Sequence, residues 1–357
     1  MMEILQSEQY PEYLAFCEKM GAHFMQIPNW RKVKNGWESE ILVQREAGAI
    51  CAGVLLLRRK IGPFCLIYAP RGPVCDLEHL ETLMEDTLSY ARKRHACCLK
   101  IDPHIPVEQA EYGARLQKMG FTQIPAGAMG NTQPKFVYQL KIAHRDAEQI
   151  LQSFAPKTRY NVRLAGRKGV KIWQGGSERI SEFYRLLVET GQRDGFAVRQ
   201  MQYYRNLLEQ MGEYAQLFLA EYEGEVIAGA IAIWFGKHAW YLYGASGKAH
   251  REAMPNYLMQ YRMMLWAKEK GCEIYDMRGI SGDFSEDNPL YGLYRFKRGF
   301  GYLGGVGYIQ ELLGEYERPI YPGVYACYRG ALRIRRWHKQ RLLKKFRQKG
   351  APDKKEK

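Results

Sequence analysis

The chain has 357 residues, 46% apolar and 25% charged, with a net charge of +15. That length accommodates two domains of ordinary size, and the composition excludes a disordered chain. The positive balance favours polyanionic partners such as nucleic acid, anionic lipid headgroups or phosphorylated substrates; a protein with basic ends reads equally well from charge alone.

The first ten residues are polar and acidic, without the basic and apolar regions of a secretory leader. The best apolar run, 226–235, is too short to span a bilayer and reads as a strand. The expectation is a cytoplasmic protein, at most peripheral at the inner face of the membrane. A strand, a tight turn at Gly48 and a second strand come first, ending near Leu57. A strand at 65–68, a helix over 77–94 and a strand at 98–102 follow. After a Gly/Pro/Asn-rich loop at 125–134, a strand over 135–142 closes the first half.

The second half opens with helices at 146–154 and 156–168, the latter carrying Lys157, Arg159, Arg163, Arg167 and Lys168. Helices at 181–193 and 202–211 precede a second hairpin. There Gly224 and Ala228-Gly229 match Gly48 and Ala52-Gly53. Trp240–Tyr243 then answers Cys65–Tyr68, the helix 255–270 answers 77–94, 273–276 answers 98–102, and Arg298-Gly-Phe300 answers Met119-Gly-Phe121. All lie at offsets of about 175–180 residues, a domain-scale duplication rather than a solenoid period. The fold class is therefore α+β with mixed sheets. Its element order resembles the GNAT acyltransferases, in two tandem domains over 1–144 and 145–320. From 321 the chain reads as one basic helix, with Tyr325, Tyr328, Leu332, Trp337 and Phe346 among many Arg and Lys, and 349–357 as a disordered tail. A helix of that kind suits an RNA backbone or an anionic membrane surface, and a solvated tail is the bland reading.

Metal and nucleotide chemistry find little support. None of the eight cysteines forms a CxxC pair, and they read as small core residues of a reduced protein. The histidines show neither HxxxH nor HxH spacing, so no metal is expected. No G-x-S-x-G elbow, Walker loop or G-x-G-x-x-G after a strand is present, which argues against a serine hydrolase or a nucleotide cofactor.

Several blocks fall in one order along the chain. They begin with Phe24, Gln26, Trp30 and Lys34, and continue with the basic stretch 156–170. Then come Thr190-Gly-Gln-Arg193-Asp-Gly195-Phe196 with Arg199 and Tyr203, Tyr241-Leu-Tyr243, Tyr275-Asp276-Met-Arg-Gly279, and Phe296-Lys297-Arg-Gly299-Phe300. In this order the blocks resemble the FemABX transferases. The resemblance implies two GNAT-like domains, aminoacyl-tRNA as co-substrate with no other cofactor, and a muramyl-pentapeptide acceptor, lipid-linked or nucleotide-linked. No heptad segment matches the coiled-coil arm of some relatives, which suggests the compact type.

The resemblance also implies roles. Lys34 and Arg199 would hold the acceptor's diphosphate, Arg199 as a planar fork and Lys34 as a point charge. Tyr203, four residues after Arg199, would add a hydroxyl from the same helical face. Lys297 would set a cation beside the developing charge or the tRNA terminus, with Phe296 walling the site and Tyr243 donating near the carbonyl. Asp102 is a candidate base, but a turn-capping role fits it better; proton transfer assisted by the substrate is the alternative. An acyl-CoA-dependent GNAT is the enzymatic rival. Against it, neither 70–75 nor 250–255 carries the R/Q-x-x-G-x-G/A loop whose amides would bind a pyrophosphate. A non-catalytic RNA- or membrane-binding module is the reading from another class.

Overall fold

The computed structural model describes residues 2–127 and 131–334. The first stretch contains β1 (Met2–Ile4), α1 (Tyr10–Lys19), β2 (Glu38–Glu46), β3 (Ala49–Ile61), β4 (Phe64–Ala69), α2 (Leu80–Lys93), β5 (Ala96–Ile101), α3 (Ala110–Lys118) and β6 (Thr122–Gln123). The second begins with β7 (Phe136–Lys141), α4 (Ala147–Gln152), α5 (Pro156–Arg167), β8 (Lys171–Gly175), α6 (Ile180–Asp194) and α7 (Met201–Met211). It continues with β9 (Ala215–Tyr222), β10 (Glu225–Phe235), β11 (His238–Ser246), α8 (Pro255–Glu269), β12 (Ile274–Ile280), α9 (Tyr291–Arg298), β13 (Gly307–Glu311) and β14 (Tyr316–Pro319).

The duplication is visible in the turns. β2 and β3 close across Ala47 and Gly48, both at positive φ, and β9 and β10 close across Glu223 and Gly224 in the same way. Two consecutive left-handed residues are what a two-residue hairpin needs to match strand twist. The helices cover the sheets through apolar faces: Leu80, Leu83, Met84 and Leu88 of α2, and Ile180, Phe183, Leu186 and Leu187 of α6, are buried at helical spacing.

Each half supplies most of one mixed sheet, in the orders β1-β2-β3-β4-β5-β14-β6 and β13-β7-β12-β11-β10-β9-β8. One expectation is corrected here. The strand read as closing the first half, β7, lies in the second sheet between β12 and β13, antiparallel to both. In return β14, from the end of the second half, lies between β5 and β6 of the first. A boundary at 144 therefore divides the sequence but not the sheets. The reason is visible in β7: Val137, Tyr138, Gln139 and Leu140 are all buried, a run suited to an interior strand with a partner on each side.

One apolar core belongs to both halves, joining Phe24, Trp30, Leu55 and Tyr68 to Phe183, Tyr204, Leu207 and Trp240. Residues 322–334 continue as a helix, whose Tyr325 and Tyr328 pack on Leu66, Cys97 and Cys98 of the first sheet. Trp337, Phe346 and most of the basic C-terminal residues lie outside the described residues. No helix among the described residues is long and apolar enough to cross a membrane.

Candidate active site

β11 and β12 run parallel, but they pair only over His238–Trp240 with Ile274–Asp276 and then part. β4 and β5 stay paired through Ala69 and Ile101. The fork leaves the far end of β11, with Tyr243, and the far end of β12, with Arg278 and Gly279, as the two walls of an opening in the second sheet.

Lys34 sits beside the first sheet. It follows a 3-10 turn, Pro28–Lys32, anchored by buried Trp30 and by the Asn29 amide donating to Gln210 O of α7 at 3.2 Å. Its ammonium lies 5.1 Å from the Trp37 ring centre and 5.2 Å from that of Tyr68, distances suited to cation–π attraction. Burial pushes the amine down to about 8, the Arg199 charge pushes the same way, and Asp102 opposes them. Among the described residues no carboxylate forms an ion pair with Lys34 or Arg199. Neighbouring Lys100 is neutralised by Glu315 at 2.7 Å. The groove alongside, about 470 Å³, is lined by Lys34, Trp37, Arg59 and Tyr68, with Tyr328 and Leu332 of the C-terminal helix opposite.

Asp102 is 2% exposed and both its oxygens are occupied: Tyr68 donates to one at 2.6 Å, and the Arg71 backbone N–H donates to the other at 2.6 Å. Burial raises its pKa despite the Arg71 charge and these bonds. The carboxylate thus fastens the loop after β4 rather than the turn that follows it. Asp276 does cap its own turn, accepting from the Arg278 backbone N–H and from the Gln139 amide.

Arg199 lies between α6 and α7. Its guanidinium stands 4.6 Å over the Tyr203 ring, and the Tyr203 and Tyr243 hydroxyls are 3.1 Å apart. Tyr203 is 9% exposed, and burial pushes its phenol well above the ordinary range, so it stays a neutral donor.

Lys297, on α9, is 4% exposed and donates from Nζ to Gly279 O at 2.7 Å. Burial lowers it to about 7; the Asp276 carboxylate works against that and Arg278 adds to it. Gly299 closes α9 where a Cβ would collide with Thr158 of α5, and Ala155 N donates to Gly299 O, so the basic helix docks beside this lysine. Phe296 is half-buried and packs on Tyr257 and Phe300 at 5.2 and 5.1 Å. Its described ring contacts thus belong to the second core, not to the tyrosine pair. Several cations of α5 and its C-terminal end are engaged locally: Arg159 donates to the Gln152 and Phe154 carbonyls, Arg163 meets Glu148, and Lys168 donates to Glu252 O.

The structure gathers Lys34, Arg199, Tyr203, Tyr243 and Asp102 into one contiguous set. Arg278 links this set to Lys297. Burial lowers Arg278 to about 10, and it lies within the fields of Arg71, Asp276, Tyr243 and Asp102. Arg278 falls inside a sequence block that implies no role for it, and neither Tyr68 nor Arg71 carries a sequence signal of its own. A left-handed non-glycine backbone, φ 65 at Arg278 and φ 59 at Arg71, has no signature in residue type.

The sequence matches the model of the FemAB family over residues 8–225 and 221–333. The chain belongs to the FemAB family. Among its relatives, the lipid II:glycine glycyltransferase of Staphylococcus haemolyticus (strain JCSC1435) is 29% identical, covering 83% of this chain and 89% of that protein. The protein of the same name from Staphylococcus aureus (strain MRSA252) is 26% identical, with 83% and 89% covered. Among solved structures, the crystal structure of FemX superposes with a TM-score of 0.82 at 24% identity, over 92% of this chain and 99% of that one. A tandem GNAT protein from the clavulanic acid biosynthesis pathway superposes at 0.55 and 13% identity, over 89% and 98%. The tandem GNAT-like architecture follows from these superpositions. As a FemAB protein, the chain is an acyltransferase.

Proposed function

We propose that this FemAB protein moves an amino acid from aminoacyl-tRNA to the stem-peptide amine of a peptidoglycan precursor, forming an interpeptide bridge. The names of the relatives favour lipid II as acceptor and glycine as the residue moved; a UDP-linked muramyl pentapeptide is the other acceptor form. The observation that carries the reading is the pair of cations without carboxylate partners among the described residues, Lys34 and Arg199, close enough for the Arg199 charge to depress Lys34, with Lys34 lining a groove with aromatic walls. A diphosphate supplies the missing countercharge. The apolar residues of the groove, Trp37, Ile61, Leu66 and Leu332, suit an acceptor whose diphosphate continues into a lipid.

In this reading the acceptor amine, once deprotonated, attacks the ester carbonyl of the aminoacyl-tRNA; the amide bond forms, the ester C–O bond breaks, and the terminal ribose oxygen of the tRNA leaves as a hydroxyl after taking up a proton. Tyr243, held by Tyr203, donates towards the oxygen that gains charge. Lys297 meets the anionic RNA terminus, whose charge draws the amine to its protonated form. Asp102 has both oxygens bonded, so it acts by positioning Tyr68 beneath Lys34, and the amine's proton leaves through substrate groups or water.

The acyl-CoA alternative needs free amides to cradle a pyrophosphate. At the start of α8, Pro255 has no N–H, and the Ala253, Met254 and Tyr257 amides donate to nearby carbonyls. In the 70–75 loop, the Arg71 and Val74 amides are taken by Asp102 and Gly53. The deciding assay supplies labelled aminoacyl-tRNAs, lipid II or UDP-muramyl pentapeptide, and in parallel labelled acyl-CoA. Label reaching the stem peptide from tRNA is expected; label arriving only from acyl-CoA would overturn the reading.

A further inference from the structure

At the end of β3 opposite the groove, three side chains of metal-binding type converge. Glu46 ends β2. Cys51 is the extra residue of a β-bulge, since Gln44 pairs with Ala52 and Arg45 with Ile50. A bulge re-aims the side chain it carries. His79 stands immediately before α2. One ligand atom from each, the carboxylate oxygen, Sγ and a ring nitrogen, lies within 4.8 Å of the other two.

The histidine is held as metal-bound histidines are. Its Nδ1 lies 2.6 Å from Asp76 Oδ1, and the same oxygen accepts from the His79 backbone N–H at 3.0 Å. Nδ1 therefore carries a ring proton, and Nε2 faces inward toward Glu46, as a lone pair in the neutral ring and as a second N–H in the imidazolium. That Nε2 is shut off from solvent and stands 3.2 Å from Glu46 Oε1, an ion pair when the ring is protonated. Asp76 and Glu46 raise the pKa of the ring, so a proton occupies the space between Nε2 and Glu46 in the metal-free protein, and a metal ion held there with the Cys51 thiolate would displace it.

We propose that Glu46, Cys51 and His79 bind a zinc-class divalent ion, with Asp76 orienting the His79 ring from behind. Bonds of about 2.0–2.3 Å in a tetrahedral site put ligand atoms about 3.3–3.8 Å apart, so the observed spread closes by small rotations. The Glu46 side chain is 70% exposed and free to make them. Thiolate, imidazole and carboxylate together select zinc or cobalt over calcium or magnesium. Binding releases the Cys51 proton to solvent, and the charge of the ion drives that release. The ion would pin the β2–β3 hairpin to the start of α2. The sequence concealed the site because its ligands come from a hairpin end, a bulge and a helix start.

The probe is Co²⁺ added to untagged, chelator-stripped protein, followed by Zn²⁺ competition. One equivalent of Co²⁺ is expected to give visible d–d bands with a near-ultraviolet thiolate band, both abolished by zinc. Cys51→Ser should lose the thiolate band, and His79→Gln should weaken binding at least 10-fold. Asp76→Asn should weaken it 10- to 100-fold, as loss of an outer carboxylate does. Cys327→Ser, which removes an exposed thiol, should change nothing. Zinc should raise the melting temperature of the wild type but not of His79→Gln. The proposal is overturned if no thiolate band forms at one equivalent, or if the spectrum survives Cys51→Ser or His79→Gln in protein with native circular dichroism. Aminoacyl transfer does not enter the readout, so failure here leaves the proposed function standing.

Discussion

The hydroxyls of Tyr203 and Tyr243 meet at 3.1 Å, one from α7 and the other from the strand that forks away from β12. Each orients the other, while Arg199 stacks on Tyr203. In a transferase whose oxyanion is met by Tyr243, removing either hydroxyl breaks the same device. Tyr203→Phe and Tyr243→Phe are each expected to lower kcat/KM about 10-fold, roughly 1.4 kcal/mol. The double variant should lose less than the product, because residues in one network are not additive. A full product of the two effects in steady-state kinetics would separate the roles.

Lys34 tests the acceptor site through pH. Only the protonated amine attracts a diphosphate, and burial with Arg199 holds Lys34 at about 8 in the free protein. Affinity for a short-chain lipid II analogue should therefore fall as pH rises through about 8. Lys34→Ala should bind weakly without that step. Arg199→Ala should move the step to higher pH, because one of the charges depressing Lys34 is gone. Calorimetric titration from pH 6.5 to 9.5 reads all three. A stem peptide without the diphosphate should show no step, and a step there would count against the role.

Much of this was legible because it is local. The hairpins at Gly48 and Gly224, the five helices over 77–94, 156–168, 181–193, 202–211 and 255–270, and the strands at 98–102 and 273–276 follow from turn chemistry and apolar period, although the last runs on past Asp276 to Ile280. Lys34, Arg199, Tyr203 and Tyr243, which sit in separate sequence blocks, lie close together in the fold. What escaped depends on long-range pairing. Nothing local in 135–142 says which sheet receives it, since a buried interior strand reads alike in either. Phe296 faces the core because α9 rotates to bury Lys297, a rotation that a short basic helix does not announce. Arg278 escaped because its importance comes from burial beside Asp276.

Lys297 gives a second pH test, of opposite partner. In the free protein its amine sits at about 7, lowered by burial. If the charged form meets the RNA terminus, kcat/KM for the aminoacyl-tRNA should decline as pH rises through about 7, with acceptor saturating. Lys297→Arg stays protonated throughout and should remove the decline even if its rate is lower. Lys297→Ala should cut turnover at least 100-fold with circular dichroism unchanged. A wild-type rate that climbs through pH 7 would instead assign the neutral amine as the working form.

Gln26 links stability to the site. It is fully buried; its amide donates to Leu55 O at 3.3 Å and Pro70 O at 2.8 Å and accepts from Leu55 N at 2.8 Å. It therefore clamps β3 to the loop that carries Arg71 and, through Arg71, Asp102. Gln26→Leu leaves those backbone groups unpaired away from water, and we expect a loss of about 3 kcal/mol in urea unfolding. Acceptor affinity should fall as well, because the loop under Tyr68 loosens. Unchanged stability would mean that water replaces the clamp.

The exchanged strands predict how the halves depend on each other. Residues 1–144 alone would hold β7 without its partners β12 and β13, and would leave β5 and β6 without the β14 that lies between them. Residues 145–357 alone would lack the strand that joins β12 to β13. Each fragment also exposes its side of the shared core around Trp30 and Trp240. Such edges and apolar faces aggregate. Either fragment expressed alone should be insoluble or lack cooperative unfolding, while co-expression of the two should recover a soluble complex with measurable transfer activity. Two independently folding fragments, each melting cooperatively, would show that the exchange is dispensable and that the boundary at 144 is a true domain boundary.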